Sequence, residues 1–301
     1  MKRKRFAIAA AIIAVLVLAY FLYAKATYVH MDLSTLREFA KTQSYDVIIR
    51  SIQAKPVSAE GFSFVALGDT RSNIDVARNV LSQAAKEKPL FILCNGDIVR
   101  RGRVEEYTAH HMQLIDMIAP VPMLVAPGNH ERGPNGDFEP FRALTGGERF
   151  SFDYGGCRFV GLNNADWNGM SNDDIEYLET ELSKPGVEHK FVVFHVPPRF
   201  LEDAIETEEG RGFSWNARRM RALFTKEKVD QVFVGHVHGF ATQVVDGVRY
   251  TITGGAGANL AESLKKEGQV HNFVVVHVTP QGVRDEVVKE INGEWVRSDI
   301  Q

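Results

Sequence analysis

Apolar and polar positions change their period several times along this chain. An unbroken apolar run from Phe6 to Ala24 comes first, directly behind Lys2, Arg3, Lys4 and Arg5. Its length is close to the ~20 residues that cross a bilayer, which predicts one amino-terminal transmembrane helix. Four cations on the leading flank predict an inside amino terminus and an extracytoplasmic remainder. A cleaved signal sequence is the alternative, with Ala24-Lys25-Ala26 as a small-x-small site, but the apolar part of such a signal ordinarily runs only about 7–15 residues. Residues 1–25 are therefore read as a membrane anchor or signal sequence. In residues 26–60, Leu33, Leu36, Phe39 and Ala40 recur at helical spacing, which predicts a stalk or a helical segment packed on the following domain.

From Gly61 onward, short apolar runs alternate with amphipathic stretches. FSFVAL is followed by a helical pattern over 74–86, LFILC by one over 104–119, and then comes PMLVA. That alternation marks βαβ units and a largely parallel sheet. The second half is mixed. SFDYGG and CRFVGLNN are close enough for a hairpin, KFVVF and QVFVG alternate with helical stretches near 173–182 and 216–226, and Asp246-Gly247 is a hairpin turn signal. The last runs, NFVVVHV and VRDEVVKEI, are expected to complete a second sheet. The pattern over 61–301 thus predicts a mixed α/β domain in which two mixed β-sheets pack face to face with helices on their outer sides.

Composition narrows the function classes. The 301 residues are 45% hydrophobic and 24% charged, an ordinary globular balance. A formal net charge of -3 provides no broad basic field for a phosphate backbone, which argues against nucleic acid and for a small-molecule or lipid-linked substrate. The two cysteines, Cys94 and Cys157, lie inside apolar runs and read as small core hydrophobes. With no CxxC pair, any metal would be held by oxygen and nitrogen.

The chemistry-bearing residues gather where the apolar runs stop, and ligands in open α/β sheets collect at the carboxyl ends of strands. FVALGD ends in Asp69, FILCNGD in Asp97, LVAPGNHE in Asn129 and His130, FVVFH in His195, and VFVGHVH in His236 and His238. One Gly-Asp after a strand is a common turn, and one strand-end histidine is usually a packed core residue. Two carboxylates, an amide and three histidines together suit two adjacent divalent ions better than they suit packing.

The ordered set GD, GD, GNHE, His and GHxH resembles the calcineurin-like metallophosphoesterase family, from about Gly61 to Gly257. The resemblance implies a four-layer αββα fold and a binuclear phosphatase or phosphodiesterase that attacks phosphorus in line with a metal-bridging hydroxide. Two divalent ions are implied, from manganese, iron, zinc or magnesium, and neutral imidazoles favour transition ions such as manganese or iron. On this pattern Asp97 bridges both ions, Asp69 and His238 hold the first, and Asn129, His195 and His236 hold the second. His130 is then no ligand but stands beside the leaving group as proton donor or stabilising cation.

Two motifs depart from the family pattern. GDxH reads GDTR here, so Arg71, which cannot be a ligand, replaces a histidine of the first ion. Arg71 either grips a substrate phosphate or pairs with a nearby carboxylate. GDxxDRG reads GDIVRRG, placing Arg100 where an acidic residue is usual; the tyrosine of purple acid phosphatases is also missing there. Arg100 and Arg101 either make the cleft positive or tie loops together. Arg71, Arg101 and Asn129 are the candidates for contacting substrate. A degenerate, non-catalytic member that binds a ligand or protein at the membrane is the second reading, and GDTR is the feature that favours it. His110, His111 and His277 lack ligand partners at suitable spacing and are read as structural. An acidic stretch over 202–209, followed by Phe213 and Trp215, is a candidate specificity loop.

Overall fold

The computed structural model describes residues 12–20, 29–165, 169–201 and 212–300. Strand β1 (Phe62–Leu67) lies at the middle of the first sheet, parallel to β2 (Ile92–Cys94), which is parallel to β3 (Met123–Val125). On its other side β1 pairs antiparallel with β10 (Asn272–Thr279), followed by β11 (Gly282–Ile291) and β12 (Glu294–Asp299). The second sheet takes β4 (Phe150–Tyr154), β5 (Cys157–Gly161), β6 (His189–Val193), β7 (Gln231–Val234), β8 (Phe240–Val245) and β9 (Val248–Thr253), in the order β4-β5-β6-β7-β9-β8. Both sheets are mixed, as the alternating pattern predicts.

The expectation that NFVVVHV and VRDEVVKEI belong to the second sheet is corrected: they are β10 and β11 of the first. The physical reason is the free edge of β1. Without β10 its buried N–H and C=O groups would lack partners, and the apolar run of β10 is the segment that covers them, from Phe62 opposite Val278 to Ala66 opposite Val274. Strand partners this distant in sequence leave no trace in local periodicity.

Aromatic side chains fill the space between the sheets. The Phe64 ring meets Phe191 edge-on at 5.1 Å and Phe159 at 5.2 Å, joining the sheets across their inner faces. Edge-to-face pairs of this kind are worth about 0.5–1.5 kcal/mol each beyond their burial. Outside the first sheet, α3 (Ile74–Lys86) buries Ala77, Val80, Leu81 and Ala84, the one-face spacing of an amphipathic helix, and Asn73 caps its start by accepting from Val76 N–H. Outside the second sheet lie α6 (Asn172–Leu182) and α7 (Ala217–Lys226); their Leu178 and Met220 join Val160, Val192 and Val232 in a second core.

Directly before β1 lie α1 (Ser34–Gln43) and α2 (Tyr45–Gln53), and their Leu36, Tyr45, Ile48 and Ile52 enter the same core as β1. The Tyr45 hydroxyl donates to the Val125 carbonyl at 2.5 Å. This segment is packed on the domain. The predicted anchor falls mostly outside the described residues; residues 12–20 are helical, and among the described residues no helix is long and apolar enough to cross a membrane.

Helix α4 covers residues 104–118 and includes a π-helical turn at Tyr107–His111, followed by α5 (Glu139–Thr145). His111 is buried against the core, and burial pushes its pKa down to about 3. The folded state therefore keeps His111 neutral where the unfolded chain, with a histidine pKa near 6.5, takes up a proton. More protons bound to the unfolded chain mean stability falls as pH falls from about 6.5 towards 3. Between pH 6.5 and pH 5 the loss should be about 2 kcal/mol. Denaturant melts at the two pH values should show it, and His111→Leu should remove most of that slope.

Candidate metal centre

Five loops at the carboxyl ends of β1, β2, β3, β6 and β7 bring Asp69, Asp97, Asn129, His195, His236 and His238 together. Close approach is enforced by small residues. A Cβ on Gly128 would lie 2.2 Å from Asp97 Oδ1, and one on Gly235 would lie 2.5 Å from Asp69 Oδ2. Asp69, Asp97 and His236 themselves take left-handed backbone conformations, with φ of 59°, 57° and 67°. Such angles are uncommon for residues other than glycine and persist where the surrounding structure over-determines them.

Asp97 is the hub. Its Oδ1 accepts from His130 N–H at 3.0 Å and lies 3.3 Å from His195 Nε2. Its Oδ2 accepts from Arg71 Nε at 3.0 Å and lies 3.9 Å from His130 Nε2. Burial works to raise the Asp97 pKa, but the electrostatic influence of the neighbouring His195, His130 and Arg71 outweighs it and holds the group below the usual carboxylate range.

His195 is buried, and its Nδ1 faces the Asn95 carbonyl at 2.8 Å. A carbonyl only accepts, so Nδ1 carries a proton, and in the neutral ring that binds metal Nε2 presents a lone pair. That lone pair faces Asp97 Oδ1 and, at 3.1 Å, Asn129 Oδ1; Asn129 Oδ1 in turn lies 3.1 Å from His236 Nδ1. Acceptors converging this way repel unless a cation lies between them. Donors about 2.0–2.2 Å from one ion, at roughly right angles, stand about 3 Å apart, so these residues fit a divalent ion. Asp69, Asp97 and His238 form a second cluster, their ligand atoms within 4.8 Å of one another, and the buried Asp69 Oδ1 has no hydrogen-bond donor. His238 donates from Nδ1 to the Asn259 carbonyl and turns Nε2 to Asp69 Oδ1 at 3.4 Å. Burial lowers the His238 pKa, but the contact with Asp69 more than reverses this, and the net direction is upward.

Arg71 is brought into this second cluster. Besides Asp97, its Nη1 donates to Ser72 Oγ at 3.1 Å and its Nη2 lies 3.3 Å from His238 Nε2. Arg101 is exposed, and among the described residues no hydrogen bond or ion pair joins its side chain to the cluster; its backbone N–H is held by Glu106. The GDIVRRG loop reaches the site instead through Arg100, whose carbonyl lies 2.5 Å from His130 Nδ1.

Three supporting residues escaped the sequence reading. Glu131 is fully buried and accepts four backbone N–H bonds, from Asp97 and Gly128 at Oε2 and from Ile98 and Val99 at Oε1. Burial and the Asp97 charge push its pKa upward, against four donors that favour the anion. Asn95 donates to the Val234 and Thr253 carbonyls, tying the end of β2 to the second sheet, and Asn164 Oδ1 accepts from His195 N–H and Val196 N–H. The turn after β9 packs on the first loop, where Ala256 N–H and Ala258 N–H donate to the Gly68 and Asp69 carbonyls.

The histidines set aside have other partners: His110 Nε2 lies 2.8 Å from the Thr70 carbonyl and His277 Nε2 lies 3.1 Å from Glu286. Cys94 and Cys157 are buried free thiols. Phe213 is corrected from a candidate contact for substrate to a core residue, 1% exposed and packed with Phe194; an apolar side chain finds more to bury against there than in a wet cleft. Trp215 stays half exposed and lines a cleft with Arg132, Glu148 and Asn163. The acidic residues over 202–209 lie outside the described residues.

Residues 62–240 match the family model of the calcineurin-like phosphoesterases. Among solved structures, a purple acid phosphatase from yellow lupin (Lupinus luteus) seeds superposes with a TM-score of 0.64 at 18% identity, over 80% of this chain and 53% of that one. The chain thus spans about half the length of the lupin enzyme. GAP50, the anchor in the inner membrane complex of Plasmodium, gives 0.62 at 14% identity, over 80% of this chain and 88% of that one. A dimetal phosphatase from Danio rerio gives 0.58 at 15%, over 80% and 99%. At these identities the likeness is one of fold. No curated protein matches the sequence.

Proposed function

Because this chain belongs to the calcineurin-like phosphoesterase family, we propose that it hydrolyses phosphomonoesters or phosphodiesters of small or lipid-linked molecules, using divalent metal held at Asp97, Asn129, His195 and His236. The observation that carries this is His195 Nε2 lying 3.3 Å from Asp97 Oδ1 and 3.1 Å from Asn129 Oδ1, three ligand-type atoms gathered at one place. Bound metal supplies an activated water and a positive field for the phosphoryl oxygens. Asp97, held by Arg71 and by His130 N–H, fixes the centre; His195 is oriented by Asn95 and Asn164.

His130 acts on the leaving group. Its Nδ1 donates to the Arg100 carbonyl, leaving Nε2 near Asp97 and partly open to solvent. In its doubly protonated form the ring keeps the Nδ1 proton on the Arg100 carbonyl and gives the Nε2 proton to the departing oxygen, a step worth about 10²–10⁴-fold. His130→Ala should therefore slow an alkyl phosphate ester by roughly a hundredfold or more and a nitrophenyl ester far less, because nitrophenolate departs without a proton. Equal losses on both esters would remove His130 from that role.

The reading is tested by stripping the full-length chain with a chelator, restoring manganese, iron, zinc or magnesium, and following a chromogenic phosphomonoester and phosphodiester in parallel. Metal-dependent turnover of either is expected. Silence with every metal, from folded protein, would favour the second reading, a ligand- or protein-binding module. Arg71 inside the cluster is the feature that speaks for it, and the Plasmodium neighbour is described as an anchor.

The site of action proposed is a membrane, with the domain on its extracytoplasmic side. Residues 12–20 lie inside the apolar amino-terminal run and are all exposed, Ile13, Val15, Leu16 and Leu18 each by more than half. The full chain should stay with the membrane pellet after an alkaline wash; release into the supernatant would count against an anchor.

A further inference from the structure

We propose that Arg71 replaces one metal ion, so that the centre holds a single divalent ion at Asp97, Asn129, His195 and His236, with the Arg71 guanidinium as the fixed cation on the other side of Asp97. The inference rests on the metal-binding reading above and asks how many ions that site takes.

The two halves of the cluster differ in what their acceptors face. On the Asn129 side, with His195 neutral, its Nε2 lone pair faces two acceptor oxygens, Asp97 Oδ1 at 3.3 Å and Asn129 Oδ1 at 3.1 Å. On the Asp69 side a donor is built in. Arg71 Nε donates to Asp97 Oδ2 at 3.0 Å, and Nη2 lies 3.3 Å from His238 Nε2. With the His238 ring neutral, its Nδ1 proton goes to the Asn259 carbonyl, and Nε2 accepts a hydrogen bond from the Arg71 guanidinium. Arg71 thus joins two of the three groups that would otherwise share an ion.

The position is also held. Nη1 donates to Ser72 Oγ, the Arg71 backbone N–H donates to the Asp97 carbonyl at 3.1 Å, and the side chain is only 16% exposed. A guanidinium stays charged at any working pH. A divalent ion among Asp69, Asp97 and His238 would therefore either face a fixed positive charge a few ångströms away or have to expel it from three hydrogen bonds. With Arg71 in place, Asp97 keeps a cation on each oxygen. Its Oδ2 answers the guanidinium, and its Oδ1 remains available to the ion held with His195.

The test counts ions by a readout independent of turnover. Chelator-stripped full-length protein is titrated with manganese by calorimetry, and bound metal is measured by elemental analysis after gel filtration. One ion per chain is expected for the natural sequence, none at comparable affinity for His195→Ala, and two for Arg71→His, which restores an imidazole where the guanidinium stood. Electron paramagnetic resonance of the manganese-loaded natural protein needs no variant. An uncoupled six-line spectrum is expected, whereas an exchange-coupled pair signal, or two ions of similar affinity, would overturn the proposal. An Arg71→His protein that folds but still takes one ion would overturn it as well. No ion in any form would instead sink the metal-dependent reading itself.

Discussion

Asp97→Ala is expected to lower kcat/KM for ester hydrolysis by at least about a thousandfold, the scale at which losing even one preorganised electrostatic group can act. The physical case is concentration of roles. Arg71, His130 and His195 all turn toward this one carboxylate, and its Oδ1 is one of the three acceptors around the proposed ion. Removing it takes the acceptor from Arg71 Nε and from the His130 backbone N–H, and takes one oxygen from beside His195 Nε2. Asp97→Asn is the sharper control, because it keeps the shape and removes the charge. It should remain folded by circular dichroism while losing nearly as much activity. An Asn variant within tenfold of the natural protein would show that the carboxylate's charge is not what the centre uses.

Glu131→Ala should be the most destabilising single change in the site. Four backbone N–H groups, from Asp97, Ile98, Val99 and Gly128, end on this fully buried carboxylate at 2.6–3.2 Å. Each buried donor left without an acceptor costs about 1–3 kcal/mol. Allowing for water entering the gap, a loss of roughly 4 kcal/mol is expected, a large part of an ordinary domain's stability of about 5–15 kcal/mol. Thermal melting should fall by roughly 10 °C for a domain of this size. Activity should fall too, since the Asp97 and Gly128 loops are held in register by the same side chain. A melting point within about 2 °C of the natural protein would mean the four N–H groups find other partners.

Much of this site was legible in the chain because its residue types are poor packing choices. A carboxylate, an amide or a histidine directly after a buried apolar run costs free energy unless something there needs it, and five such endings reach one place. The local alternation of β1, α3 and β2 was legible for a related reason: each element buries one face, and the period records it. The destination of β10 was not, since a buried apolar run suits the inner edge of either sheet.

Arg71 illustrates a different limit. The sequence excludes it as a ligand, but only the fold brings its guanidinium to Asp97 and His238. Glu131 was passed over because it works through backbone N–H groups, which carry no sequence signature; an acidic residue directly behind Asn129 and His130, at the end of a buried strand, was the available hint. The left-handed angles at Asp69, Asp97 and His236 were likewise hidden. The neighbouring glycines advertised crowding, while the strain fell on the functional residues themselves.

Anomalous diffraction from crystals of the protein soaked in manganese, recorded at a wavelength where manganese scatters anomalously, tests the central claim most directly. A peak among Asp97 Oδ1, Asn129 Oδ1, His195 Nε2 and His236 is the predicted result. A clean map with no ordered ion among these residues, or an ion bound only elsewhere on the molecule, would contradict it.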